Sequence, residues 1–262
     1  MNRPLINVVK MGGAILEDEA QRILALSAFA SLLGSNVLVH GGGKLATELA
    51  KKLGVPVTII EGRRVTDASM LEIVSWVYAA TNKQVVAQLK AKGCKAIGLC
   101  GADAGIITAK RRTGWKVDYG FVGDIEGADG ATIFSLLEKD FSPVFAPLTD
   151  DGNGTLLNTN ADTIAATVAQ ALLPFASVRL VYTFALPGVM EDPDDPATII
   201  HHLTPNLYQQ YKSSGIISEG MIPKLDNAFT SLSSGVTEVV ICQSGEIGNL
   251  GKEGFVGTSI TY

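Results

Sequence analysis

The chain has 262 residues, 47% of them hydrophobic and 18% charged, with a formal net charge of −5. That length and balance allow a sizeable core, in one large α/β domain or two lobes around a cleft. The acidic charge, with no basic run longer than Lys110-Arg111-Arg112, argues against a nucleic-acid partner. No apolar stretch is long enough to span a membrane, and residues 1–9 are too short and too polar for a signal peptide. Cys94, Cys100 and Cys242 show no metal spacing and read as reduced thiols, so the expectation is a cytoplasmic protein with no metal site of its own.

Residues 5–9 form a short apolar run of strand character that ends on Lys10 and the turn Met11-Gly12-Gly13. Helical periodicity over 19–33 leads to a second strand-like run, 36–39, and a second turn, His40-Gly41-Gly42-Gly43-Lys44. Such turns let backbone N–H groups approach a phosphate, and a helix N-terminus behind them favours negative charge. Neither fits the P-loop or dinucleotide spacing, and each alone reads equally well as a tight βα connection. Lys10 alone is at even odds with a solvated strand-end lysine. Further on, 46–53, 68–92, 161–173 and 223–233 read as helices, and 57–60, 96–99, 143–146, 178–182 and 238–241 as buried strands. The alternation predicts a mainly parallel sheet covered on both faces, with active groups at the C-terminal ends of the strands. Residues 118–123 and 155–158 look like inserted hairpin pieces, and 124–130, 149–154 and 191–196 like Gly/Asp-rich loops. A lobe boundary falls near Pro174.

Four side chains stand at the element ends. Lys224 lies in the first turn of a helix, where a cation opposes the helix dipole unless an anion is bound nearby. Asp162 follows Asn158-Thr159-Asn160-Ala161 into an apolar helix and alone reads as part of an N-cap cluster. Arg64, before Val65-Thr66-Asp67, can grip a carboxylate with two parallel hydrogen bonds. With Lys10 and the glycine N–H donors, these make a phosphoryl-transfer site, where catalysis is mostly positioning and charge stabilisation.

The ordered set of motifs resembles the amino-acid kinase family, and within it the N-acetylglutamate kinases. It runs from Lys10-Met11-Gly12-Gly13 through His40-Gly41-Gly42-Gly43, Gly62-Arg63-Arg64-Val65-Thr66-Asp67 and Asn82-Lys83. It continues through Gly98-Leu99-Cys100-Gly101-Ala102-Asp103, Gly120-Phe121-Val122-Gly123, Asn158-Thr159-Asn160-Ala161-Asp162 and Gly220-Met221-Ile222-Pro223-Lys224. The resemblance implies a three-layer αβα sandwich, with an acid-substrate lobe at about 1–174 and a nucleotide lobe at about 175–262. It implies that Lys10 and Lys224 stabilise the transferring phosphoryl group and that Asp162 organises them. Gly12, Gly13, Gly42 and Gly43 would line the phosphate, Gly42 and Gly43 also the reacting carboxylate, and Arg64 with Asn158 would hold the α-carboxylate. Ala185, Gly188 and Ser218 would belong to the nucleotide side.

The implied reaction is MgATP plus an N-acyl-L-glutamate, acetyl or succinyl, giving an acyl phosphate in arginine biosynthesis. The nucleophile is already a carboxylate, so no histidine base is needed, and His201 and His202 read as loop residues. Related activities in the same family (carbamate kinase, aspartokinase, glutamate 5-kinase, uridylate kinase) and a non-catalytic acid-binding paralogue are the alternatives. In the family, arginine-inhibited hexamers carry a helix ahead of the first strand. With the first strand near Leu5, the resemblance implies a homodimer, in contact through 68–92, that arginine does not inhibit. Three positions depart from the family pattern. Ala185 stands nearest the place of an Asp in a T-D-x-x-G segment, Lys44 follows the glycine triplet in place of Pro, and Arg63 precedes Arg64 in place of Leu. The last two add cations that are expected at the acyl end of the substrate.

Overall fold

The computed structural model describes residues 3–192, 194–217 and 221–262. In chain order the first strands and helices are β1 (Leu5–Met11), α1 (Gly13–Glu17), α2 (Glu19–Ala30), β2 (Ser35–His40), α3 (Gly43–Lys52), β3 (Ile59–Ile60), β4 (Arg63–Arg64), α4 (Ala68–Ala91) and β5 (Ala96–Leu99). Then come β6 (Ile107–Arg111), β7 (Gly123–Ala128), α5 (Gly130–Glu138), β8 (Ser142–Phe145), β9 (Leu148–Asp150), β10 (Leu156–Asn158), α6 (Ala161–Leu172) and β11 (Ser177–Phe184). The chain closes with β12 (His202–Leu203), α7 (Pro205–Ser213), α8 (Ile222–Ser233), β13 (Glu238–Gln243) and β14 (Thr258–Ile260).

Eight strands form one sheet in the order β12-β14-β13-β11-β1-β2-β8-β5. Every pairing in it is parallel except β13 with β14. Strands buried on both faces favour apolar residues on both sides, which is why β1 and β2 read as near-continuous runs rather than alternating ones; their buried Asn7 and Asn36 are hydrogen-bonded to each other at 2.8 Å. Val8, Val37, Val39 and Leu180 pack on one side against α6 and α8, through Ile164, Val168, Leu225 and Ala228. Val9, Leu38, Val181 and Val240 pack on the other against α2 and α4, through Leu26, Phe29, Val85 and Leu89. This is the expected αβα sandwich. No described helix is long and apolar enough to cross a membrane.

β1 leaves its two neighbours in opposite directions along the sheet, toward β2 and toward β11. A crevice outside the strand ends at such a reversal is where open α/β sheets bind ligands. Lys10 stands there, in register with Val39 and Tyr182.

The sequence reading is corrected in several places. Residues 57–60 are not a buried strand. Only Ile59–Ile60 pair, with Arg63–Arg64 in a two-stranded hairpin, and Ile59 is 57% exposed. The turn between them holds Glu61 and Gly62 at φ 49° and 73°. The stretch 124–130 is mostly strand β7, which pairs antiparallel with β6. Residues 118–122 are the connection into it, tied down by bridges of Gly120 to Thr66 and Val122 to Asn158. Residues 156–158 do form a hairpin arm, with β9. Strand β5 is half-buried because it is a sheet edge. His202 lies in β12 rather than in a loop. The cysteines are free, and burial pushes the Cys242 thiol up to about 12.

Candidate active site

The two glycine turns lie against each other. A Cβ on Gly41 would sit 2.9 Å from the Gly13 nitrogen, and one on Gly13 would sit 3.2 Å from the Gly42 nitrogen. A Cβ on Gly42 would meet the Tyr78 ring at 2.8 Å. Side chains here would force the backbones apart, so the sequence uses glycine. Gly12 caps α1 and Gly42 caps α3 without a side-chain hydrogen bond. The first N–H groups of both helices therefore have no side-chain acceptor, and two positive helix ends meet at the ends of adjacent strands.

Beneath the second turn lies His40, fully buried. Its Nδ1 is 2.9 Å from the Gly41 carbonyl oxygen, and its Nε2 is 3.2 Å from the Asn82 side-chain nitrogen, which also donates to the Val144 carbonyl at 2.8 Å. A carbonyl only accepts, so Nδ1 carries the proton and Nε2 receives one from Asn82. Burial lowers the His40 pKa to about 4, against a smaller opposing effect of the Gly41 carbonyl. The imidazole is neutral with both nitrogens occupied, which makes it a strut for the turn rather than a base.

Lys10 Nζ lies 2.8 Å from the Asp162 carboxylate, and the lysine side chain is 12% exposed. Asp162 is placed by α6, whose N-cap Asn160 accepts from the backbone N–H groups of Asp162 and Thr163. Tyr182, beside β1, is kept protonated by burial and, secondarily, by the negative charge of Asp162. Lys224 is an exposed residue in the first turn of α8, with its ammonium 4.3 Å from the centre of the Phe184 ring. It makes no ion pair with Asp162 among the described residues.

A cavity of about 260 Å³ opens between the second glycine turn and the β6–β7 region. Gly42, Gly43, Arg63, Arg64 and Asn158 all line it, as expected together from sequence. Arg64 is fixed from behind: one terminal nitrogen donates to the Gly43 carbonyl and to Thr47 Oγ1, each at 2.7 Å. Asn158 donates to Thr66 Oγ1 at 2.9 Å. Tyr78, Arg112 and Asp124 also line the cavity and were missed. Arg112 grips Asp124 through Nε and one terminal nitrogen. The only sequence signal was the Lys110-Arg111-Arg112 run, which composition alone reads as a solvated stretch. Lys44, expected at the acyl end, does not line the cavity. Its ammonium pairs with Glu17 of α1 at 2.8 Å.

A larger cavity, about 650 Å³, lies on the β11 and β13 side. Lys10, Gly12, Thr183, Phe184, Ala185, Gln243 and Glu246 are among its lining. The carboxylate on this cavity is that of Glu246, at a position sequence reading did not single out, and Ala185 contributes a carbonyl that accepts from Gln243 at 2.8 Å. Gly188 does not line it. It is buried, and a Cβ there would meet Thr258 Oγ1 at 2.7 Å, so this glycine serves packing. Ser218 lies outside the described residues.

Residues 6–243 match the model of the amino acid kinase family. The acetylglutamate kinase of Cytophaga hutchinsonii is 46% identical over 256 residues, 97% of each chain. That of Bacteroides thetaiotaomicron is 47% identical over 240 residues, covering 91% of this chain and 93% of the relative. Among solved structures, smu.665 from Streptococcus mutans superposes with a TM-score of 0.75 at 29% identity over 98% of both chains. The N-acetylglutamate synthase of Neisseria gonorrhoeae, complexed with coenzyme A and N-acetyl-glutamate, has a TM-score of 0.81 at 22% identity. It is matched over all of this chain and 60% of its own, and it shares the fold. By sequence and by architecture alike, the chain belongs to the amino acid kinase family.

Proposed function

We propose that this kinase transfers the γ-phosphoryl group of ATP to the side-chain carboxylate of an N-acyl-L-glutamate, with N-acetyl-L-glutamate as the reference substrate, forming an acyl phosphate for arginine biosynthesis. The curated relatives named above support the substrate. The observation that carries the reading is the seam between the two cavities. Gly42 lines the smaller and Gly12 the larger, and the turns that hold them touch beside the Lys10–Asp162 pair. A phosphoryl group at that seam has an acid on one side and a nucleotide on the other.

In this reading Arg64 and Asn158 hold the α-carboxylate, and the side-chain carboxylate points at the N–H groups of Gly42 and Gly43. Lys10 and Lys224 neutralise charge on the transferring group, and Asp162 keeps Lys10 in place. The attacking oxygen is already anionic, so the residues supply alignment and electrostatics rather than proton removal. The 650 Å³ cavity has the size of a cofactor pocket, and its lysine and backbone donors suit phosphates. ATP supplies the phosphoryl group. Mg²⁺ would come bound to the nucleotide. In this reading the half before Pro174 holds the acid, and the nucleotide lies between Lys10 and Gly12 of that half and Thr183, Phe184, Gln243 and Glu246 of the other, on one shared sheet. A homodimer belongs to the same reading, because Trp76 of α4 is 56% exposed and aromatics of this kind anchor interfaces. Sedimentation at the mass of a monomer would remove that part.

Trapping the acyl phosphate with hydroxylamine tests the activity. Hydroxamate should form from N-acetyl-L-glutamate and ATP and not from free L-glutamate. Preferential use of the free amino acid would overturn the assignment.

A further inference from the structure

The acid cavity carries more positive charge than an N-acetylated substrate uses. Its ionic lining among the described residues is Arg63, Arg64, Arg112 and Asp124. Asp124 neutralises one arginine. The α-carboxylate neutralises another, and the reacting carboxylate faces the glycine turns and Lys10. One cation is left, and an acetyl group is neutral.

Two observations locate the surplus. Arg63 is exposed and makes no ion pair or side-chain hydrogen bond among the described residues; its guanidinium carbon lies 5.8 Å from the centre of the Trp115 ring. Arg112 is 9% exposed and pinned by Asp124, yet its Nη1 nitrogen is buried with no hydrogen-bond partner. The rings of Trp115 and Tyr119, centred 5.5 and 5.7 Å from the Arg112 guanidinium carbon, account for its stacking but offer no acceptor. A buried donor on a cation is costly to leave unmade; a carboxylate oxygen suits this open Nη1 donor, and its charge suits Arg63, unpaired among the described residues.

We propose that Arg112 and Arg63 form a subsite for an acyl group that itself ends in a carboxylate, so that the preferred acid carries three carboxylates rather than two. This rests on the reading of the 260 Å³ cavity as the acid site. In this proposal the longer acyl chain runs toward Trp115, which lines an open hollow of about 500 Å³ together with Glu61 and Lys116, whose charges offset each other. Nη1 is closed to solvent, so the acid reaches it by displacing a neighbour. Trp115, 54% exposed with its ring centre 5.5 Å from the same guanidinium carbon, is the neighbour that moves in this proposal. Lys44 plays no part, since it faces Glu17.

The test is calorimetric titration of the protein with N-succinyl-L-glutamate, N-acetyl-L-glutamate and the neutral chain-length control N-butyryl-L-glutamate, with hydroxamate trapping run in parallel. The succinyl acid should bind roughly tenfold tighter or more than either other acid. Arg112→Met and Arg63→Ala should each bring the succinyl-to-acetyl affinity ratio toward one. Arg63 is exposed, so its variant reports even where Arg112→Met fails to fold. Succinyl binding no tighter than acetyl, or a preference that both variants leave intact, overturns the proposal. An arginine-dependent succinyl preference without hydroxamate from any acid upholds the subsite and overturns the phosphorylation reading instead.

Discussion

The two cavities on either side of the touching glycine turns are built differently. On the acid side the functional side chains other than Arg63 are held from behind: Arg64 by Gly43 and Thr47, Asn158 by Thr66, Arg112 by Asp124, and the glycine turn itself by His40 and Asn82. On the nucleotide side the second lysine, Lys224, is exposed and, among the described residues, rests on the face of Phe184. A small acid has few atoms with which to organise a site, so the protein must arrive organised. A nucleotide brings its own phosphate charge and can draw an exposed lysine into place.

Removing the lysines is the strongest way to break this comparison. Lys10→Ala and Lys224→Ala should each lower kcat on the order of 100- to 1000-fold, the usual cost of one preorganised electrostatic donor. The difference lies in binding. Loss of Lys10 also leaves Asp162 without its cation, whereas Lys224→Ala should raise the KM for ATP and spare that for the acid. A Lys224→Ala enzyme with near-normal turnover would remove Lys224 from the chemistry.

The next test acts on the strut under the acid side. His40 has a folded pKa of about 4, below its ordinary 6.5. Between those values the unfolded chain binds the extra proton and the folded one does not, so stability falls on acidification. The contribution is complete above about pH 6.5 and is lost by about pH 4. It amounts to on the order of 3 kcal/mol at one pKa unit per about 1.4 kcal/mol. Urea midpoints at pH 7.5 and 5.0 check it: wild type should drop, and His40→Gln should start lower and drop less. Equal slopes in both proteins would take this role from His40.

The smallest expected effect is also the most selective. Arg64→Lys keeps the charge but loses the fork already anchored on Gly43 and Thr47. The KM for the acid should rise about tenfold while that for ATP stays within about twofold. A parallel rise in both constants would mean that the two sides are not independent.

Much of this was legible in the sequence because it depends on residues near each other along the chain. β1, β2, β11 and β13 are buried on both faces and announce themselves as apolar runs ending in glycine, threonine or glutamine. The glycine turns, Lys10, Asp162 and Arg64 sit at element ends that periodicity locates well. What failed is what only tertiary contact decides. Arg112 and Asp124 become a pair when β6 and β7 fold against each other. Lys44, in the first turn of α3, pairs with Glu17 of α1, a contact made only when the two helices come together. α7 was missed because Tyr208 is its one buried residue, too little to set a period. Residues 57–60 misled because Ile59 and Ile60 have strand composition, yet they form an exposed two-residue hairpin arm rather than a sheet strand.

Lys10, Met11 and the first glycine turn hang from the end of β1, and His40 and the second turn from the end of β2. The two strands are hydrogen-bonded neighbours over six residues, from Ile6–Ser35 to Met11–His40. Neighbouring strands stand about 4.8 Å apart, one of the least variable distances in protein structure. The sheet is therefore a ruler. The gap between the two glycine turns is set by backbone hydrogen bonds rather than by the packing of loops. Substitutions elsewhere can retune which acid or nucleotide enters without altering that span.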